Sequence, residues 1–210
     1  MKKIFVGLIF TASLLCGSCS DWLDILPKNE QVTEDFWKSK EDVESVLASG
    51  YMYLRNAVPY LIDWGELRGG SVYTSIDLNK QKLQDFQLTS SHKLCSWAIF
   101  YQILNMANSV IKYAPEVQQI DETYLDAYMN SHLTEAYFLR ALTYFYLVRN
   151  FKDVPLVTQP YVDDSAPFDI AKSPEAVIIT QIKTDIETAL ATGAAKSFYD
   201  DDAWPGATKG

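Results

Sequence analysis

The chain has 210 residues, 48% hydrophobic and 13% aromatic, with 27 acidic against 18 basic side chains and three cysteines. That composition excludes disordered, collagen-like and low-complexity chains, and a net charge of −9 excludes a binder of nucleic-acid backbones, which needs basic groups to displace phosphate counterions. A single globular domain of this length buries about 70% of its unfolded surface and requires neither disulfide nor metal for stability.

Lys2 and Lys3 precede an apolar run from Ile4 to Leu15, followed by Cys16-Gly17-Ser18-Cys19. The run falls short of the roughly 20 residues that span a bilayer, so it reads as a secretion signal. A cysteine directly after the small pair Gly17-Ser18 is the pattern of bacterial lipoproteins. Residues 1–18 are therefore expected to be a signal peptide, with Cys19 taking a diacylglycerol on its sulfur and an acyl chain on its new amine. The alternative is an ordinary cleaved signal that leaves Cys19 a free thiol. Removing residues 1–18 takes away two lysines and shifts the net charge from −9 to −11, so the lipid, rather than attraction to anionic headgroups, must hold the body at the membrane. Cys95 is then the one unlipidated cysteine, which excludes an intrachain disulfide; it is expected to be a small buried residue of an apolar helix.

Residues 19–38 are expected to be an extended, lipidated leader. Ser39 followed by Asp42 has capping-box spacing, and Val43, Val46, Leu47, Gly50, Tyr51 and Leu54 make one apolar stripe, predicting a first helix that ends at Pro59. Residues 60–90, with Gly65, Gly69, Gly70 and the isolated aromatics Tyr60, Trp64, Tyr73 and Phe86, read as a long irregular connection, and connections of that length are commonly functional. A second helix is expected from about Ser91 to Ala114, closed by Pro115, with Trp97, Phe100, Tyr101, Leu104, Ala107, Asn108 and Ile111 inward. A third, from about Glu122 to Asn150, is apolar on almost every side in its second half and must be buried on more than one face. Asp153 to Val157 is an extended exit. A fourth helix starts at Ser173-Pro174-Glu175, with Ser173 as cap, and carries Val177, Ile178, Ile182, Asp185, Ile186, Ala189 and Leu190, where Asp185 interrupts the apolar face. Residues 196–210 read as a connection to further chain. Such helix pairs suit an array in which each pair buries its face on the next. Trp97 and Tyr101, with Ala136, Ala141 and Tyr144, resemble tetratricopeptide positions only loosely.

The run Glu135-Ala136-Tyr137-Phe138-Leu139-Arg140-Ala141-Leu142-Thr143-Tyr144-Phe145-Tyr146-Leu147-Val148-Arg149-Asn150-Phe151-Lys152-Asp153-Val154-Pro155-Leu156 is similar to the hallmark of the SusD/RagB family. The resemblance extends to the lipoprotein pattern, to Trp22-Leu23-Asp24 with Pro27, to Phe36 and Tyr51, to the Trp97–Asn108 stretch, and to Asp185 with Leu190. One departure is Lys152, where the family commonly has glycine; a positive φ there would strain a lysine. The resemblance implies an all-α scaffold of tetratricopeptide-like helix pairs over residues 39–210, as the N-terminal part of a longer chain. It also implies an outer-membrane lipoprotein that captures oligosaccharide, or in some members peptide, for a SusC-type TonB-dependent transporter.

Catalytic readings fare poorly. His92 and His132 have no ligand-type neighbours at metal spacing, Gly69-Gly70 lacks the lysine and helix of a phosphate loop, and among 27 acids a glycosidase-like carboxylate pair would arise by chance. Neither catalysis nor a cofactor is expected; a structural calcium stays open. Sugar binding needs flat aromatics beside hydrogen-bonding groups, and the 60–90 connection offers Tyr73, Trp64, Arg68, Asp77 and Asn79. Tyr73 leads, because the resemblance implies ligand-contacting aromatics between the first two helices, whereas Trp64 could equally pack the loop onto the scaffold. Trp97 and Tyr101 are expected in the core, and Arg140 is expected to pair with a carboxylate such as Glu135 or Asp153. A helical-repeat adaptor that grips only a protein partner is the rival reading.

Overall fold

The structure, a computed structural model, describes residues 36–161 and 169–195. The signal peptide, Cys19, the leader up to residue 35 and the tail 196–210 lie outside the described residues. Among the described residues the protein is all-α apart from one short antiparallel strand pair.

Helix α1 (Lys40–Ile62) opens on the expected capping box: the Asp42 amide donates to Ser39 Oγ, and the Ser39 amide donates to the Asp42 carboxylate at 2.8 Å. Although desolvation pulls the Asp42 pKa up, the Ser39 hydroxyl and the Lys38 and Ser39 amides hold it below the usual carboxylate range. Pro59 does not end α1, nor does Pro115 end α3 (Ala98–Gln118). Both prolines sit on solvent-exposed faces, where water can take the carbonyl each one frees. Helix α3 also begins seven residues later than expected, because residues 93–95 form a 3-10 turn that sends Leu94 inward and leaves Cys95 half-buried outside the helix.

Helix α4 (Asp126–Phe151) packs between α3 and α5 (Glu175–Ala191), while α1 lies on α3 and touches α4. The sandwiched position buries α4 on more than one face, with Leu139, Ala141, Tyr144, Leu147 and Val148 all inside, while Phe138 and Phe145 stay exposed. Gly50 admits the approach of α1, since a Cβ there would lie 2.8 Å from the Leu139 side chain. After α4, Lys152 holds φ +61° as the helix reverses. The exit then forms β1 (Val154–Pro155), paired with β2 (Lys172–Ser173) in the register Val154 to Ser173. That pairing takes Ser173 away from capping, and Asp153 accepts the Glu175 amide in its place at 3.0 Å.

The partner of Arg140 is neither Glu135 nor Asp153 but Asp185, the residue that breaks the apolar face of α5. Arg140 Nε and Nη2 donate to the two Asp185 oxygens at 2.9 and 2.6 Å. Its Nη1 donates to Asn108 Oδ1 and to the Thr158 carbonyl. Asn108 in turn donates to the Val157 and Gln159 carbonyls. Tyr144 Oη both donates to the Val157 carbonyl and accepts its amide, and Tyr101 donates to the Pro155 carbonyl. Burial pushes the Tyr144 hydroxyl up to about 12, so it remains a neutral donor and acceptor. Three helices and the exit strand are thus tied through one satisfied polar network.

Candidate ligand-binding surface

The 60–90 connection is more ordered than its composition suggests. Helix α1 runs on into a π-helical turn, Asp63–Leu67, and a short helix α2 (Leu78–Gln84) follows. Leu67, Leu83 and Leu94 make a small separate core beneath them. Lys80 on α2 pairs with the buried Asp63 at 2.8 Å, fastening α2 to the end of α1.

Trp64 belongs to this foundation. It is 8% exposed, its indole N–H donates to the Leu94 carbonyl at 3.0 Å, and it stacks on Phe100 with ring centres 5.0 Å apart. Phe151 and Tyr60 pack against it in T-shaped geometry, and at that burial it offers no open ring face to a ligand. Asp77 caps α2, accepting the Asn79 and Lys80 amides at 2.9 and 3.2 Å. These amides, the Lys80 one foremost, hold its carboxyl below the ordinary range. Its first duty is local, and Asn79 stands exposed two residues further on.

Tyr73 is 77% exposed and Arg68 is also exposed, so both meet the requirement for a sugar platform and its hydrogen-bonding neighbour. The structure adds Phe86, one of the isolated aromatics of this connection. Phe86 is 73% exposed, and the Arg68 guanidinium lies 6.0 Å above its ring centre. The Thr74 amide donates to Gln84 Oε1 at 3.2 Å, which draws the segment carrying Tyr73 against the end of α2, two residues before Phe86.

The backbone of Phe86 is itself informative. The Gln87 amide reaches the Lys82 carbonyl and the Phe86 amide reaches that of Leu83, which is the Schellman ending of a helix. The left-handed position of that motif is usually glycine, yet here φ is +56° on a phenylalanine. A bulky residue held there is strained and gains no burial in return, which points to a role for the ring at the surface. No glycine or asparagine marks this turn in the sequence, so it could not be foreseen.

The histidines have structural partners. His92 Nδ1 accepts the Leu94 amide, and His132, buried in α4, bonds the Tyr124 hydroxyl at 2.8 Å. Burial lowers the His132 pKa against a smaller opposing pull from Glu44. Trp97 and Tyr101 are half-buried and pack on the main core, in line with a core role. Among the described residues no cluster of three His, Cys, Asp or Glu side chains could hold a metal ion.

A SusD-like family model, described as "Starch-binding associating with outer membrane", matches residues 21–198. A SusD-like protein of Formosa agariphila is 31% identical over 195 residues, covering 90% of this chain and 37% of its own length. One from Bacteroides ovatus is 32% identical over 165 residues, covering 74% of this chain and 29% of its own. Among solved structures, a SusD superfamily protein from Bacteroides thetaiotaomicron aligns with a TM-score of 0.66 at 28% identity, over 74% of this chain and 36% of that one. A further solved structure, with xylogluco-oligosaccharide, shares the fold with a TM-score of 0.58 at 24% identity, over 76% of this chain and 31% of that one. The sequence thus spans about a third of the length of the relatives it matches.

Proposed function

The chain belongs to the SusD/RagB family, and on that premise we propose that it is the N-terminal part of a lipid-anchored, surface-exposed outer-membrane protein that captures oligosaccharides through its 60–90 connection. Tyr73 and Phe86 offer faces on which the C–H surfaces of sugar rings stack, and Arg68 and Asn79 offer donors to hydroxyls. The work is binding, without catalysis or cofactor, and delivery goes to a SusC-type TonB-dependent transporter. Cys19 carries the anchor.

The observation that bears most weight is the strained, exposed Phe86 beneath Arg68, on a loop whose base is fixed by Trp64 and the Asp63–Lys80 pair. A rigid base with open aromatics loses little entropy on binding, which suits capture of a flexible glycan. Calorimetric titration with starch-derived and xyloglucan-derived oligosaccharides tests this. Tyr73→Ala is expected to weaken the binding by about 1–3 kcal/mol, the scale of other stacked aromatics, without moving the melting temperature. Binding to a transporter or a peptide, with no heat from any glycan, would favour the adaptor or peptide readings instead.

A further inference from the structure

Arg68 is held in place by its backbone. It closes the π-helical turn Asp63–Leu67, its amide donating to the Asp63 carbonyl at 3.1 Å, and the Gly69 and Ser71 amides donate to the Gly65 and Glu66 carbonyls at 3.0 and 2.9 Å. A Cβ at Gly69 would meet the Gly65 carbonyl oxygen at 2.5 Å, so only glycine lets the chain fold back this tightly. The guanidinium carried by this fixed turn is uncommitted. Among the described residues it has no carboxylate within ion-pair distance and no hydrogen-bond acceptor, and its neighbour is the Phe86 ring. Glu66 and Asp85 are close to it or to Phe86 in sequence and both are exposed, yet neither pairs with it.

The charge around Arg68 also differs from that of the chain. Over residues 60–95 four acids are matched by four bases, so the net charge of −9 belongs to the remainder. Lys80 is spent on Asp63, and Asp77 on the α2 amides. An anionic chain that the remainder repels can therefore approach here, where an unpaired cation meets it. A neutral hydroxyl would leave the charge of Arg68 uncompensated. A carboxylate or a sulfate ester takes two N–H groups at once and brings the opposite charge, the pairing that the planar guanidinium fork favours. The C–H face of the same sugar ring is left for the neighbouring aromatics.

Resting on the reading of this connection as an oligosaccharide site, we propose that its ligand is an anionic glycan, carrying uronate carboxylates or sulfate esters, with Arg68 as the residue that selects the charge. The test is calorimetry on the full-length protein with matched pairs: oligogalacturonate against its methyl ester, and a sulfated galactan oligosaccharide against its desulfated form. The charged member of at least one pair is expected to bind about tenfold tighter, the scale of a charge-assisted hydrogen bond, and the pair that shows it names the source of the charge. Arg68→Gln should bring that affinity down to the level of the neutral member, and Arg68→Lys, which keeps the charge without the fork, should restore only part of it. Added salt should narrow the gap in the wild type. Equal binding within both pairs, or a preference that survives in Arg68→Gln, would overturn the proposal. If starch-derived or xyloglucan-derived oligosaccharides bind in that case, glycan capture stands without it, whereas no binding of any glycan would overturn both.

Discussion

Arg140 and Arg68 carry the same guanidinium into opposite surroundings. Arg140 is buried in α4, bidentate to Asp185, and further tied to Asn108 and the Thr158 carbonyl. Arg68 stands in solvent above the ring of an equally exposed Phe86. Burial makes full pairing compulsory, because an unpaired buried charge is costly, and a fully paired arginine has nothing left for a ligand. Exposure removes that compulsion, so Arg68 keeps donors to spare. The same contrast separates Trp64, whose N–H is bonded and whose ring is buried, from Tyr73 and Phe86, whose rings are exposed.

The sharpest way to break this comparison is to treat the closed region as though it were open. Arg140→Ala strands Asp185 and should cost about 3–5 kcal/mol in urea unfolding, while Arg140→Met combined with Asp185→Leu should recover most of the loss. A loss of glycan affinity in that double variant, with stability restored, would mean the network reaches the binding surface after all.

The closed region also carries a pH signature. Burial lowers the His132 pKa below its ordinary 6.5, so the unfolded chain binds the extra proton first. Stability is therefore full above about pH 6.5 and falls as pH drops from there toward the lowered folded value. His132→Gln should flatten that slope in melts between pH 7.5 and 5. The effect is the smallest of those considered, and a slope unchanged in the variant would assign it to other groups.

The sequence was most legible where structure is local. The capping box of α1, the multiply buried α4 and the extended exit all follow from neighbouring residues. Pro59 and Pro115 do not mark helix ends because a proline on an exposed face can be accommodated when water takes the carbonyl it frees. Long-range pairing was legible only in part: Asp185 stood out as a break in an apolar stripe, but nothing in its neighbourhood pointed to an arginine 45 residues earlier. At the candidate site, Tyr73 and Arg68 fall where expected on the surface. Trp64 turned inward because its indole found Leu94 and Phe100, and Phe86 stayed hidden because its left-handed turn carries no glycine signal.

Phe86 gives the most direct test of the open surface, since its two roles pull stability and binding in opposite directions. Phe86→Gly relieves the left-handed strain and should stabilise the protein by about 1 kcal/mol in urea unfolding, because glycine occupies that conformation freely. If the ring is a sugar platform, calorimetry on the same sample should show oligosaccharide affinity falling by about tenfold or more, the scale of a lost aromatic stack. A more stable variant that binds oligosaccharide as tightly as the wild type would contradict the account.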